Sequence, residues 1–161
     1  MKDLLNNLVT ALKRIFKVTK VTVMMYCKDA IDKLQQEPGI QLKQVSHAHH
    51  NFWVYVPERD RKEPFEPNFV FNNMSDVIRL QSITNRSFVA PIFYANQSQR
   101  PILIVQMEIR PGANNTFEEH RDRRAFEIVS KIVSGIFERI FVNSRTSDNA
   151  NRAYIILKAC K

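Results

Sequence analysis

The spacing of the apolar residues changes sharply in the last third of the chain, and this change constrains the fold more than any other feature. In the stretch that ends at Arg110 the apolar residues alternate, and one strand face carries Leu103, Val105, Met107 and Ile109. From Thr116 onward the spacing becomes helical, with a stripe formed by Phe126, Val129, Val133, Ile136, Phe137 and Ile140. A strand followed by a long amphipathic helix predicts a helix packed on a sheet, because each element must bury its apolar side.

The rest of the chain extends this pattern. A first amphipathic helix is predicted at about residues 2–17, with one face made of Leu4, Leu5, Leu8, Val9, Leu12, Ile15 and Phe16. Strands are predicted in "KVTKVTVMMYCKD", twice in "IQLKQVSHAHHNFWVYVPE", and twice in "SFVAPIFYANQSQRPILIVQMEIR". "AIDKLQQEPG" reads as a polar connection, and "MSDVIRLQSITNR" predicts a helix of about three turns capped by Ser75. The order predicts an α+β fold: an antiparallel β-sheet flanked by N- and C-terminal amphipathic helices and covered on one face only.

Length and charge set further limits. A chain of 161 residues suits one domain, which we expect at 1–142, followed by the polar linker "NSRTSDNANR" and the start of a further element within 143–161. The formal net charge of +8 comes from scattered basic residues, which favours a solvated basic surface. No apolar run approaches the roughly 20 residues that span a bilayer, and the N-terminus lacks the core of a signal peptide. We therefore expect a cytoplasmic protein with no membrane partner.

The residues that usually carry catalysis or metal binding are sparse. Cys27 and Cys160 lie far apart and form no metal-ligand spacing. His47 and His49 would point the same way on a strand, but further ligands are not evident, so we expect no metal and no stoichiometric zinc. No nucleophile elbow, P-loop or zinc-protease motif occurs. The expectation is a protein that is not an enzyme and needs no cofactor.

Three stretches carry a family resemblance over about residues 2–142. "LLNNLVTALKRIFKVTKVTVMMY" looks like a first helix running into a first strand, and "SFVAPIFYANQSQRPILIVQMEI" like a late strand pair that includes Pro91 and Ile92. "TFEEHRDRRAFEIVSKIVSGIFERI" looks like a closing helix introduced by a Phe and acidic residues. In this order the chain resembles the GAF domain. The resemblance implies a GAF-like, PAS-like outline and a sensory or regulatory role.

The resemblance also implies a site to test. The cyclic-nucleotide-binding members carry Asn-Lys, a spacer, Phe, three residues and Asp-Glu; here Ile109-Arg110 stands first, Phe117 matches, and Arg121-Asp122 stands last. Arg110 and Phe117 are therefore the candidate ligand-binding residues, in a broken signature. A one-residue slip turns a helical side chain by about 100°. We expect the loop to be closed by Arg110 with Glu118 or Glu119, with the fold kept and nucleotide binding lost.

The function expected from the sequence is a non-catalytic GAF-like regulatory or interaction module of a larger signalling or scaffold protein. Its partner would be a second copy or a neighbouring domain of the same protein, meeting the terminal helices at Leu5, Leu8, Leu12, Val129, Val133, Ile136, Phe137 and Ile140. One alternative is a small-molecule sensor, with a pocket at the other face of the sheet. A second is a basic nucleic-acid-binding module that uses Phe52, Trp53, Tyr55 and Tyr94 with Arg59, Arg61 and Lys62.

Overall fold

The computed structural model describes residues 2–25, 28–57, 67–94 and 97–159, and it contains one six-stranded antiparallel sheet with four helices. The strand order is β2-β3-β1-β6-β5-β4. In chain order the elements are α1 Lys2–Phe16, β1 Lys20–Met25, α2 Lys28–Gln35, β2 Leu42–His47, β3 His50–Tyr55, α3 Met74–Leu80, β4 Ser82–Ile83, β5 Ser87–Tyr94, β6 Gln97–Glu108 and α4 Glu119–Ala159. The α+β class with an antiparallel sheet is confirmed.

The centre of the sheet is the pair β1 and β6. Their register places Val23 opposite Val105 and Met25 opposite Leu103, so apolar side chains meet across the ladder. The predicted apolar face, formed by Leu103, Val105 and Met107 of β6 and by Ile109 directly after it, is buried on the side of the two terminal helices.

Both terminal helices pack on this first face of the sheet. Leu5 and Leu12 of α1 and Phe126 and Phe137 of α4 are fully buried there. The rings of Phe16 and Phe126 lie 6.4 Å apart, which joins the two helices directly. The predicted apolar faces therefore cover the sheet that lies between them in the sequence.

Three local predictions are wrong. The supposed polar connection contains α2, whose Ile31 and Leu34 are buried three residues apart in an otherwise polar segment. The predicted three-turn helix is the shorter α3, and its N-cap is Asn73, whose side chain accepts a hydrogen bond from the Ser75 backbone N–H at 2.9 Å. The last helix does not end near Val142, because α4 continues through the expected linker to Ala159.

The second face of the sheet is covered as well, contrary to the expectation of a sheet covered on one side. The cover is the segment 67–80, which we call the strap. Its Phe71, Met74 and Val77 are buried against residues of four strands: Met24, Phe52, Val54, Val89 and Ile104. The space that the alternative sensor hypothesis assigned to a pocket is filled by these side chains.

A buried amide attaches the strap to the sheet. Gln106 of β6 is completely buried, and its Oε1 accepts a hydrogen bond from the Val70 backbone N–H at 3.1 Å. Its Nε2 donates to the Asn68 carbonyl oxygen at 2.6 Å and to a Glu108 carboxylate oxygen at 3.3 Å. One side chain thus pairs with the backbone on both sides of Phe69, as a neighbouring strand would.

The strands β2 and β3 form a hairpin whose two turn residues, Ala48 and His49, have φ of 49° and 62°. Two positive φ angles are what a type I′ turn requires. His47 and His49 therefore do not share a strand face as expected. The His47 ring instead stacks on Phe69 at 4.5 Å, and its Nε2 is hydrogen-bonded to the Phe71 carbonyl oxygen.

The attachment of the strap predicts a stability effect. Gln106→Leu keeps an apolar body of similar size but leaves the Val70 N–H and the Asn68 carbonyl without their partner. We expect the free energy of unfolding to fall by about 1–3 kcal/mol in urea titrations. The control is Gln44→Leu, at an exposed position of β2, where the change should stay within about 0.5 kcal/mol. Equal small effects at both positions would contradict the role given to Gln106.

The hairpin turn predicts a stabilising change. Neither Ala48 nor His49 favours a positive φ, whereas Asn-Gly is the preferred pair for this turn. The double change Ala48→Asn and His49→Gly should stabilise the fold by about 1 kcal/mol, seen as a higher melting temperature. His49→Val, which places a β-branched residue in the same backbone conformation, should lower it. A lower melting temperature for the Asn-Gly variant would show that the turn differs from the one described.

Candidate functional site

The loop that the nucleotide signature would occupy joins β6 to α4. The Ile109 N–H donates to the Arg86 carbonyl oxygen at 2.9 Å, and the Ala113 N–H donates to the Arg110 carbonyl oxygen at 3.1 Å. Gly112 has a φ of 85°, which suits glycine in the turn. The loop therefore leaves the strand through a tight turn directly after Ile109.

Phe117, the residue that matches the signature, belongs to the core. Its side chain is buried and its ring lies 5.9 Å from the ring of Phe88. Its backbone N–H donates to the Asn85 carbonyl oxygen at 3.1 Å, which fixes the residue beside the start of β5. The ring thus closes the end of the core, and a base could stack on it only if it left that position.

Arg110, the other candidate, is exposed, and the acids expected to pair with it pair elsewhere. Glu118 lies 3.8 Å from the Arg121 guanidinium, and Glu119 lies 3.2 Å from that of Arg123. Both pairs have helical i, i+3 or i, i+4 spacing, which brings such side chains together without ordering a loop. The expected closure of the loop by Arg110 is therefore wrong.

Asp122 closes the start of α4 instead. Its Oδ2 accepts a hydrogen bond from the Glu118 N–H at 2.6 Å, while the Asp122 N–H donates to the Glu118 carbonyl at 2.9 Å. This reciprocal pair takes the place of the Thr116–Glu119 capping box that the spacing predicts. Arg121 bonds to the Thr116 carbonyl at 3.3 Å, and the hydrogen bond and charge of Asp122 raise the pKa of its guanidinium.

Two further contacts hold the loop against its neighbours. The Arg86 guanidinium donates to the Ala113 carbonyl at 2.9 Å, and the Asn115 side-chain amide donates to the Lys17 carbonyl at 3.0 Å. The loop is thus attached to β5 and to the end of α1. The first contact satisfies a carbonyl of the loop and the second a carbonyl at the end of α1, so both give the loop a structural role.

The residues expected at an interface lie mostly inside the protein. Leu5, Leu8, Leu12, Val133 and Phe137 are buried, and Val129 is half-buried against the same core. Ile136 is 37% exposed, whereas the side chain of Ile140 lies outside the described residues. The faces that the sequence assigned to a partner are therefore used to cover the sheet.

A different face of α4 is apolar and exposed. Ile128 is 63% exposed and Ile132 is 59% exposed, and together with Ile136 they form a row at i, i+4 and i+8. We call this row the isoleucine ridge. The sequence prediction missed Ile128 and Ile132 because the stripe through Phe126 and Val133 already explains an amphipathic helix. The available signal was two isoleucines four residues apart outside that stripe.

The structure gives little support to the predicted nucleic-acid-binding residues. Phe52 and Tyr55 are buried, Trp53 is half-buried against the core, and the Tyr55 hydroxyl donates to the Asn6 side chain. Base stacking on Phe52 or Tyr55 would require them to leave the core. Arg59, Arg61, Lys62 and the side chain of Tyr94 lie outside the described residues. Among the residues that are described, no cluster of His, Cys, Asp or Glu could hold a metal ion.

Comparison of the chain with family models, curated proteins and solved structures found no match in any of the three. Across the described part of the chain, no helix combines the length and the apolar character needed to cross a bilayer.

The loop geometry predicts that cyclic nucleotides do not bind. Phe117 is part of the core, so the base has no stacking surface, and Arg110 is exposed to solvent, where one charge contact with the phosphate contributes little. Calorimetry and thermal unfolding with cyclic AMP or cyclic GMP at millimolar concentration should show no saturable signal and no rise in melting temperature. A micromolar dissociation constant that is lost in Arg110→Gln would show that the site works.

Proposed function

We propose that the chain is a non-catalytic, GAF-like regulatory or interaction module that forms a weak homodimer through the isoleucine ridge of α4. The single observation behind the proposal is the exposure of three isoleucines in one row of a helix whose opposite side is buried. Three isolated exposed apolar residues would need no explanation, but a contiguous apolar row on a helix is typical of an interaction surface.

The spacing of the ridge suits a second copy of the same chain. Rows at i±4 are the ridges that pack into the matching grooves of another helix, with a crossing angle near −50°. Under a twofold axis through Ile132, Ile132 meets its own copy and Ile128 meets Ile136. The row is self-complementary in this arrangement, as a twofold interface requires.

The size of the surface sets the strength of the dimer. Stable interfaces bury roughly 800 Å² on each partner, which is more than three partly covered isoleucines supply. Full burial of one such side chain contributes about 1.5–3 kcal/mol, so the sum over the ridge falls short of a tight complex once the cost of association is included. The net charge of +8 on each copy adds repulsion. The proposal is therefore a weak dimer that strengthens as salt screens the charge.

The length of α4 supports a regulatory role for such a contact. The helix has 41 residues and would be about 60 Å long, whereas a helix of roughly 20 residues already spans a small domain. Its described buried positions end at Phe137, and its backbone remains helical to Ala159. Contact between two ridges would fix the position of one α4 relative to the α4 of the second copy. Because α4 is continuous, its C-terminal part would take a fixed position as well.

The proposal is tested by self-association. Sedimentation analysis from about 10 µM to about 1 mM should show a concentration-dependent monomer–dimer equilibrium with a dissociation constant of about 0.1–1 mM. Association should increase between low and high salt. The double change Ile128→Gln and Ile132→Gln should abolish it, because the centre of the ridge becomes polar.

The matched control changes two neighbours of the ridge in the same helical turns. Glu127→Gln with Lys131→Gln introduces the same residue type, removes one exposed ion pair and leaves the net charge unchanged. This variant should associate like the parent protein. A monomer at about 1 mM in high salt, or equal loss of association in both double variants, would overturn the proposal.

A further inference from the structure

A cleft of about 770 Å³ lies between α3 and α4, over the edge of β5. Its lining includes Arg79 of α3, Gln81 directly after α3, Pro91 and Phe93 of β5, and Arg123 and Lys131 of α4. We infer that this cleft binds a small organic anion, with a phosphate or carboxylate group held by the arginines and an aromatic or similarly apolar body resting on Pro91 and Phe93. The inference is independent of the dimer, because the ridge and the cleft use different residues of α4.

The cleft exists because the sheet edge is incomplete at this point. The strand β4 has two residues and pairs with Phe88 and Val89, so the rest of β5 extends past it. An open edge usually invites another strand. Here Pro91 has no N–H to donate, and the Phe93 carbonyl oxygen already accepts a hydrogen bond from the Ser134 hydroxyl at 2.5 Å. The floor is therefore suited to an apolar ring and poorly suited to strand addition.

Arg123 is held in place at the wall of the cleft. Its guanidinium donates to the Gln81 side-chain oxygen at 3.3 Å, to the Gln81 carbonyl oxygen at 3.4 Å and to Glu119 at 3.2 Å. A guanidinium fixed in this way loses less side-chain entropy when it binds an anion. Gln81 itself has a φ of 54°, an unfavourable conformation for a residue other than glycine. Backbone strain of this kind is concentrated at binding sites, and here it lies at the residue that orients Arg123.

The charge balance of the cleft favours an anion. Arg79, Arg123 and Lys131 line it together with the acid Glu127, and Glu119 offsets the charge of Arg123 from outside the lining, so three positive and two negative charges leave a net charge of +1. Glu127 pairs with Lys131 at 3.2 Å, and both side chains are largely exposed, so the pair is weak and can rearrange around a ligand. Arginines bind carboxylates and phosphates through two parallel hydrogen bonds. The positive residues converge on the cleft from both helices, which gives a ligand contacts on two sides.

The size of the cleft limits the ligand. Pockets for small molecules have volumes of about 300–1,000 Å³, and this cleft lies within that range. A lone inorganic anion would contact the arginines but leave the apolar floor exposed. A neutral aromatic molecule would contact the floor but leave the arginines unused. The cleft therefore favours a ligand that has both an anionic group and an apolar ring.

The test uses four probes in amide chemical-shift titrations of the whole chain: phenyl phosphate, benzoate, inorganic phosphate and benzyl alcohol. Phenyl phosphate or benzoate should shift the amides of Ser130 and Gly135 with a dissociation constant of about 0.1–1 mM. The stronger of the two shows whether the cleft prefers phosphate or carboxylate. Inorganic phosphate and benzyl alcohol should each bind at least about tenfold more weakly.

Two variants locate the binding. Arg79→Gln should weaken it about tenfold, whereas Arg124→Gln, at an exposed position of α4 outside the cleft lining, should change it less than about twofold. Gly135→Leu should abolish it, because a Cβ at Gly135 meets nothing within 4 Å and the side chain would occupy the cleft. This variant should also have a higher melting temperature than the parent protein, because it replaces a glycine inside a helix.

Three outcomes would overturn the inference. Equal weakening by Arg79→Gln and Arg124→Gln would show general attraction to a basic protein. Unchanged binding in Gly135→Leu would place the ligand elsewhere. The absence of saturable shifts with both aromatic anions would show that the cleft is not a site. If Gly135→Leu does not fold, the comparison of Arg79→Gln with Arg124→Gln tests the inference by itself, because both arginines are exposed and neither change should disturb folding.

Discussion

The side-chain amide of Gln106 is the interaction on which the arrangement of the second sheet face depends. A central strand carries a polar group at a fully buried position, and such a group is tolerated only when its donors and acceptors are paired. The strap supplies the partners through the backbone of Asn68 and Val70. Once these bonds hold the strap on the sheet, Phe71, Met74 and Val77 cover the apolar residues around Met24 and Ile104. The aromatic contact of His47 with Phe69 extends the cover to the hairpin of β2 and β3.

The last helix shows how one element can divide its surface among several roles. Phe126 and Phe137 face the core, Arg123 and Lys131 line the cleft with α3, and the isoleucine ridge faces away from the core. A helix packed only on a sheet would need a single apolar stripe about 100° wide. The additional row of isoleucines is what the dimer proposal explains. Binding of an organic anion would account for the basic residues Arg123 and Lys131 on the cleft side.

The loop between β6 and α4 illustrates how near neighbours decide charge pairing. Arg110 had two acids within reach along the sequence, but in the structure Glu118 and Glu119 pair with arginines three and four residues later. Helical spacing brings such groups together at almost no additional entropic cost, whereas pairing with Arg110 would require the loop to be ordered around it. Asp122 caps the helix, and its carboxylate accepts a hydrogen bond from the Glu118 N–H. This carboxylate therefore has a structural role at the start of α4.

The sequence by itself determined the α+β class, α1, the central strands β1, β3, β5 and β6, and the core face of α4, because each follows from a clear apolar period. It did not predict α2, whose described buried residues are Ile31 and Leu34, or the extension of α4 through a polar segment, where composition suggested a linker. The candidate site could be predicted only in part: Ile136 was named, but Ile128 and Ile132 were not. Exposure is a property of the assembled fold, and no local pattern states which face of a helix its own sheet leaves uncovered. Only the tertiary structure decided that the strap fills the second face, that Phe117 belongs to the core, and that arginines from two helices meet at the cleft. Each of these depends on contacts between residues far apart in the chain, which the period of a single segment does not specify.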